Sequence, residues 1–151
     1  MITDPVILRI GEVAMLGQSG ERERARAQFG EMWEEIGGEE GDPLRRCTLA
    51  HAMADVQDDV QVELEWDQRA LAAADQLTME RMAEAGVDLS VTALYPSLHL
   101  NLGECYRKLG DLERAREHLL LAQEALGALG DDDYGRLIRD GFARLTESLG
   151  E

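Results

Sequence analysis

The sequence predicts an all-helical protein, and three features of its 151 residues favour that fold class. Apolar residues recur every three or four positions along most of the chain, a spacing that places them on one face of a helix. Aromatic residues make up only 5% of the chain, whereas alanine and leucine, which favour helices over strands, are frequent. No stretch alternates between apolar and polar residues over the length of a strand.

The three prolines mark predicted helix starts. Asp4-Pro5 and Asp42-Pro43 each place a capping carboxylate directly before proline at the first helical position. Pro96 is expected to hold Tyr95 out of the helical conformation, so that a helix begins after it. Together with the apolar spacing, these signals predict seven helices, over residues 5–18, 21–36, 43–56, 58–85, 96–109, 111–128 and 132–148.

Two parts of the chain repeat each other. The segment Gly20–Arg26 aligns with Gly110–Arg116, ninety residues later, and in the same register Phe29 aligns with Leu119. Each residue type in the repeated segment suits a turn between two helices. Glycine allows a tight turn, an acidic residue favours the positive end of the next helix dipole, and alanine lets the two helices approach closely.

The stretch Pro96–Gly127 carries the full pattern of a known repeat. Its small and large residues at fixed spacing are Leu102, Gly103, Tyr106, Gly110, Ala115, Leu119 and Ala122. This pattern resembles the tetratricopeptide repeat (TPR), a hairpin of two helices about 34 residues long. Residues 5–37 and 43–85 resemble the same repeat more loosely. The stretches Ala54–Asp59 and Tyr95–Leu102 also resemble segments of short bacterial TPR proteins.

The resemblance implies a particular architecture. A single helical hairpin cannot bury its apolar face, so repeats stack on one another and end in a capping helix with a polar outer face. We therefore expect one domain over residues 1–151, made of three TPR-like hairpins (5–37, 43–85 and 96–128) and a capping helix over 132–149. Such a stack is a short right-handed α-solenoid.

The acidic residues are unevenly distributed. Of the formal charge of −16, most lies in residues 31–88, which hold sixteen acidic residues and four arginines. A field of this sign repels phosphate, so nucleic acid is not expected as a partner. The same charge would suit a basic partner, although a well-solvated surface is the simpler interpretation.

The sequence also bears on the compartment. No apolar run approaches the roughly 20 residues that a membrane helix needs, and the N-terminus lacks the basic region of a signal peptide. Cys47 and Cys105 are the only cysteines, which fits free thiols in a reducing environment. We therefore expect a cytoplasmic protein with no membrane partner.

The family resemblance implies a function as well. In TPR proteins the first helices of the repeats line a concave groove that binds a peptide or helix of another protein, so the chain is predicted to be a protein-binding scaffold. The corresponding groove residues are His51, Asp55, Ser97, Leu100, Asn101, Glu104, Arg107 and Lys108. Leu100 and Glu104 replace the basic pair with which some members clamp a terminal carboxylate, so that kind of ligand is not expected. The alternative is that these residues are only solvated or packed.

Other kinds of site have weaker support in the sequence. His51 and Asp55 lie one helical turn apart with Asp58 and Asp59 close behind, but these acids are more simply explained as caps of the next helix. The histidines and cysteines lie within amphipathic helices, with no nucleophile elbow and no phosphate-binding loop nearby. We therefore predict no metal, no cofactor and no enzymatic activity.

Two further possibilities remain open at this stage. Apolar residues left on the surface could pair two copies of the chain, which would make a homodimer the functional unit. A small-ligand sensor is the other alternative, and Cys47 and His51 would then line its site. Trp33 and Trp66 are expected between helices, but an exposed Trp33 would be a binding anchor.

Overall fold

The computed structural model describes all 151 residues and confirms the all-helical fold class. The α-helices are α1 (Pro5–Gln18), α2 (Arg22–Glu35), α3 (Pro43–Asp55), α4 (Val60–Ala74), α5 (Met79–Glu84), α6 (Tyr95–Lys108), α7 (Leu112–Ala125) and α8 (Asp133–Ser148). Three short 3-10 turns complete the regular structure, and there are no strands. None of these helices has the length and the apolar character that crossing a membrane requires.

The helices form two compact units. The first unit comprises residues 1–88, with α1 to α5, and the second comprises residues 89–151, with α6 to α8. Within the first unit α3 packs chiefly against α4, and α1 packs against both α2 and α3. Within the second unit α6 packs along α7, and α8 contacts both of them. The expectation of a single repeat domain over residues 1–151 stays a prediction.

The predicted aspartate caps are confirmed at two helix starts. The Asp4 carboxylate accepts hydrogen bonds from the backbone N–H groups of Val6 and Ile7, at 2.9 and 3.3 Å. The Asp42 carboxylate accepts one from the N–H of Arg45, at 3.0 Å. Each bond satisfies a donor that the first turn of a helix leaves without an intrahelical partner.

The start of α6 differs from the prediction. Tyr95 has helical backbone angles (φ −65°, ψ −36°) and is the first residue of the helix, so its expected role as a non-helical cap is wrong. A 3-10 turn over Thr92–Leu94 leads directly into α6. Because Pro96 lies in the first turn, where an N–H has no intrahelical acceptor, its missing donor does not disturb the helix.

The long helix predicted over residues 58–85 is also wrong, because the chain breaks it in two. Helix α4 ends at Ala74, and the N–H groups of Gln76 and Leu77 close tight turns onto the carbonyls of Ala73 and Ala74. Thr78 then adopts an extended conformation, and its hydroxyl accepts a hydrogen bond from the N–H of Arg81, which starts α5. A threonine that serves as an N-cap thus overrides apolar spacing that continues through the break.

The repeated segments form equivalent turns. Gly20 joins α1 to α2 with φ +102°, and Gly110 joins α6 to α7 with φ +83°, a left-handed conformation that glycine adopts without strain. Directly after each turn an alanine, Ala25 or Ala115, is fully buried. The equivalence of the two turns that the sequence predicts is therefore confirmed.

Each unit has an apolar core. In the first unit the fully buried residues include Phe29, Leu49, Ala50, Ala70 and Ala73. In the second unit a cluster joins all three helices, with Leu100 from α6, Leu119 from α7 and Leu145 from α8. Burial of such side chains stabilises a fold by about 1.5–3 kcal/mol for each large residue.

Candidate partner-binding cleft

A cleft of about 450 Å³ lies between α6 and α8 in the second unit. Its lining residues on α6 are Ser97, Leu100, Asn101 and Glu104, and those on α8 are Leu137, Ile138, Gly141, Arg144, Leu145 and Ser148. Residues three and four apart on one helix share a face, so each helix presents a continuous wall to the cleft. We call it the α6–α8 cleft.

The floor of the α6–α8 cleft is apolar. Leu100 and Leu145 are buried, with 8% and 4% of their surface exposed, and belong to the core of the unit. Leu137 lies at the rim with 64% of its surface exposed. Leu137 is one of ten large apolar residues exposed on the chain, and its position beside an apolar floor makes this cleft a candidate binding surface.

Gly141 keeps the cleft open at its centre. A Cβ atom built on this glycine would meet nothing closer than the Leu100 side chain, at 3.6 Å, and the Arg144 side chain, at 3.7 Å. The backbone there would therefore accept alanine. A glycine inside a helix costs about 1 kcal/mol relative to alanine, so its presence trades stability for space on the floor of the cleft.

The polar rim carries an ion pair on α6. The Arg107 guanidinium donates two hydrogen bonds to the Glu104 carboxylate, at 2.9 and 2.6 Å. Hydrogen bonding from Arg107 lowers the pKa of Glu104, although burial opposes this effect, and the carboxylate in turn raises the pKa of Arg107. Both groups therefore stay charged at neutral pH and hold each other in one orientation.

The second wall of the cleft is fixed at the start of α8. The Asp132 carboxylate caps this helix by accepting a hydrogen bond from the N–H of Gly135, at 2.8 Å. Arg139 donates to the carbonyl oxygens of Gly130 and Leu129, at 3.0 and 3.2 Å. These contacts tie the first two turns of α8 to the preceding loop, so Leu137 and Ile138 project from an anchored helix.

The structure places the predicted groove residues in four settings, three of them on α6. Ser97, Leu100, Asn101 and Glu104 line the α6–α8 cleft. Arg107 reaches the cleft through its ion pair with Glu104, whereas Lys108 is the exposed last residue of α6.

The other two predicted groove residues belong to the first unit and do not line this cleft. His51 and Asp55 lie one turn apart on α3, where His51 is half-buried and Asp55 is exposed. Near them, Asp59 caps α4 by accepting from the N–H groups of Gln61 and Val62, at 2.8 and 3.2 Å. The capping role that the sequence predicted for this acid is confirmed.

Sequence reasoning missed the wall formed by α8. The sequence predicts this segment only as a capping helix over 132–149, with no role in binding. The available signal was Gly141 itself, because an interior helix glycine flanked at helical spacing by Leu137 and Arg144 indicates a gap in the packed face.

The histidines of the second unit form a bridge between α6 and α7. The Nδ1 atoms of His99 and His118 lie 3.0 Å apart, and the two ring centres are 5.3 Å apart. The nitrogens therefore face each other along the line between the rings, so the Nδ1–H of one ring donates a hydrogen bond to the Nδ1 of the other. Burial lowers the pKa of His118, which favours the neutral form that such a hydrogen bond uses.

The cysteines are shielded from solvent. Cys47 and Cys105 are both buried as free thiols. Burial raises the pKa of the Cys47 thiol to about 12, with a smaller opposing effect from Arg46. This thiol stays protonated at neutral pH, which makes it a poor nucleophile and a poor metal ligand.

The chain was compared with protein-family models, with curated proteins and with solved structures, and none of the three comparisons gave a match.

Proposed function

We propose that the protein is a binding module for other proteins, and that the α6–α8 cleft receives a peptide or a helix of the partner. The observation that carries the proposal is the combination of a buried leucine floor, the exposed Leu137 and a polar rim in one cleft. Apolar side chains of a partner would supply affinity on the floor, and the polar rim would fix the orientation of its backbone.

The resemblance to TPR proteins supports the same proposal. The best-matched stretch, Pro96–Gly127, covers α6 and α7, and four of its six predicted groove residues lie on the α6 wall of the cleft. We propose that the chain is arranged as a TPR-like stack, with α8 as its capping helix. In that arrangement α6 is the first helix of a repeat, which is the helix that lines the groove in the family.

A peptide-selection experiment would test the proposed cleft. Peptides displayed on phage would be selected on the immobilised wild-type chain, and their affinities would then be measured for Leu137→Asp and for Leu112→Asp. Leu112 is 43% exposed and begins α7, so the control introduces the same charge at a position where a helix tolerates an acid well. The proposal predicts an affinity loss of about tenfold or more for Leu137→Asp alone.

Two results would count against the cleft. Selected peptides that bind both variants equally well would place the binding surface elsewhere. A selection that yields no specific peptide would argue against peptide binding altogether. Circular dichroism of both variants would establish that any loss of affinity does not come from unfolding.

A homodimer is the second candidate function, and one observation favours it. A groove of about 450 Å³ between α7 and α8 contains Leu120 beside the half-buried Phe142. Leu120 has 55% of its surface exposed, and such a residue next to a groove suits a self-complementary contact. Light scattering over the micromolar range would test this idea, since a monomer at every concentration would exclude a dimer of that affinity.

A further inference from the structure

The only two tryptophans of the chain contact each other in the first unit. Trp33 lies on α2 and Trp66 on α4, with their ring centres 5.0 Å apart and their planes at 87°. Both rings are half-buried, so neither is enclosed in the core. Half-exposed tryptophans are among the residues that most often anchor a partner.

A cleft of about 290 Å³ opens beside this pair. Its lining is formed by Trp33, Glu39 and Arg46 together with Glu65, Gln68, Arg69 and Ala72 from α4. We call it the tryptophan cleft. It lies within residues 1–88 and is independent of the α6–α8 cleft on which the proposed function depends.

The protein's own Arg69 already occupies one side of the tryptophan cleft. Its guanidinium carbon lies 4.3 Å from the centre of the Trp66 ring, and its Nε donates to the Glu39 carboxylate at 3.1 Å. The Trp66 ring face and the Glu39 carboxylate therefore bind the same guanidinium. The side chains of Arg69 and Glu39 remain accessible, with 38% and 69% of their surface exposed. A guanidinium of another molecule can therefore reach Glu39 and replace Arg69.

The segment that carries Trp33 and Glu39 is acidic, whereas the lining of the cleft itself holds two carboxylates, Glu39 and Glu65, and two arginines, Arg46 and Arg69. Residues 31–40 contain five glutamates and no basic residue, and only two of these glutamates are held by an arginine, Glu35 by Arg9 and Glu39 by Arg69. Several lie at the C-terminal end of α2, where the helix dipole is itself negative. Acidic residues at that end destabilise a helix, so their arrangement is unfavourable for the protein alone.

We propose that the tryptophan cleft binds an arginine-rich segment of another protein, and that an arginine of that segment replaces Arg69 against Trp66 and Glu39. The excess negative charge attracts the segment, and the aromatic face selects a planar guanidinium. Arg69 acts as an internal competitor that a partner must displace. This arrangement uses two features that would otherwise be unfavourable, a half-exposed aromatic pair and the acidic segment next to it.

The experiment uses the full chain and a nine-residue peptide of alternating arginine and glycine. The protein is titrated into labelled peptide, and fluorescence anisotropy gives the dissociation constant. In a parallel titration with unlabelled peptide, the tryptophan emission of the protein is recorded. Because Trp33 lines the cleft and Trp66 contacts both Trp33 and Arg69, we expect tryptophan emission to change with the same midpoint as the anisotropy.

A matched pair of variants separates the cleft from the overall charge. Arg69→Gln removes the internal competitor, and Arg24→Gln makes the same change in net charge at an exposed position of α2. The proposal predicts that Arg69→Gln lowers the dissociation constant about two- to fivefold more than Arg24→Gln does. Equal effects of the two variants would overturn it, as would peptide binding without any change in tryptophan emission.

A second pair tests the carboxylate. In the Arg69→Gln background, Glu39→Gln should raise the dissociation constant of the peptide about two- to threefold more than Glu23→Gln does. Glu23 lies in the first turn of α2, away from the cleft lining, whereas Glu39 lies in the 3-10 turn that follows this helix. If both changes raise the dissociation constant equally, peptide binding depends only on the total charge of the protein, and the proposed site is wrong.

Discussion

The hairpins α1–α2 and α6–α7 contain the repeated turn, but their helices pack against each other differently. In the second unit α6 and α7 lie close together along their length, because Gly103 on α6 and Ala115 on α7 present almost no side chain to each other. In the first unit α1 and α2 make fewer contacts, and the fully buried Phe29 of α2 helps to fill the core there. In the first hairpin the small residues that approach each other are Gly17 and Ala25, near the turn, where a Cβ on Gly17 would lie 3.3 Å from that of Ala25.

The units also differ in how they treat charge. All of the buried charged residues, Asp4, Arg46 and Asp67, lie in the first unit. Arg81 on α5 donates to both Asp4 and Asp42, at 2.8 and 2.9 Å, and so ties α5 to the starts of α1 and α3. The second unit has no buried charged residue and is held together by its leucine cluster. Four predictions test this contrast.

The largest effect is expected for Phe29→Ala. This side chain is fully buried, so its removal should leave a cavity and lower the free energy of unfolding by about 3–5 kcal/mol. The equivalent change in the second unit, Leu119→Ala, should cost less, because Leu119 is smaller and 7% exposed. Urea denaturation of both variants measures the difference, and an equal loss would remove the proposed distinction between the hairpins.

Gly103→Val should destabilise the second unit by about 1–3 kcal/mol. A Cβ atom at Gly103 would lie 2.9 Å from the Leu145 side chain and 3.4 Å from the Ala115 carbonyl oxygen. Gly11 on α1 is the matched control, because nothing lies within 4 Å of a Cβ built there. Gly11→Val should change the midpoint of urea denaturation far less, and similar losses would mean that α6 and α7 do not depend on their close approach.

Arg81→Gln should lower the free energy of unfolding at pH 7 by about 1–3 kcal/mol, since it leaves the buried Asp4 carboxylate with weaker partners. Burial alone would raise the pKa values of Asp4 and Asp42, but the hydrogen bonds from Arg81 and other donors lower them below the ordinary value of 3.8. Folded-state pKa values below the unfolded ones add stability that is present above about pH 4 and is lost as the pH falls further.

The pH dependence therefore checks this prediction. The difference between wild type and Arg81→Gln should be constant from neutral pH down to about pH 5 and should shrink below about pH 4. Chemical denaturation at a series of pH values measures it. A difference that grows on acidification would contradict the proposed role of the network.

The smallest effect is expected for Gly141→Ala, which should raise the free energy of unfolding by about 0.5–1 kcal/mol. Gly30→Ala on α2 should stabilise by a similar amount, because a Cβ there also meets nothing within 4 Å. The two variants should differ in binding, since only Gly141 lines the α6–α8 cleft. Peptides selected on the wild type should bind Gly141→Ala more weakly and Gly30→Ala unchanged. A loss of stability in Gly141→Ala would show that the glycine is required for packing.

Local signals in the sequence predicted most helix ends correctly. Asp4, Asp42 and Asp59 all cap helices as expected, because a capping carboxylate acts within three residues of its own position. The break before α5 was missed, since the same apolar spacing runs through it and only Thr78 marks the new start. Tyr95 was misjudged because the conformational bias from a following proline is weak enough for a preceding turn to override it.

The candidate site was predicted in part only. The α6 wall followed from a family pattern that assigns groove positions to one helix of a hairpin. The α8 wall could not follow from that pattern, since it depends on how a helix distant in sequence packs against α6. Similarly, the contact between Trp33 and Trp66 joins residues thirty-three positions apart, and no local spacing encodes it.

The most direct test of the proposed function places a photo-cross-linking amino acid at Leu137 and, in a second variant, at Leu120, and irradiates both in the native cell. The two positions are similarly exposed, at 64% and 55%, but line different clefts. The account predicts a discrete cross-linked partner protein from position 137 that a selected peptide competes away, and no such product from position 120. The same products from both positions, or cross-links from position 120 to a second copy of the chain with none from 137, would contradict it.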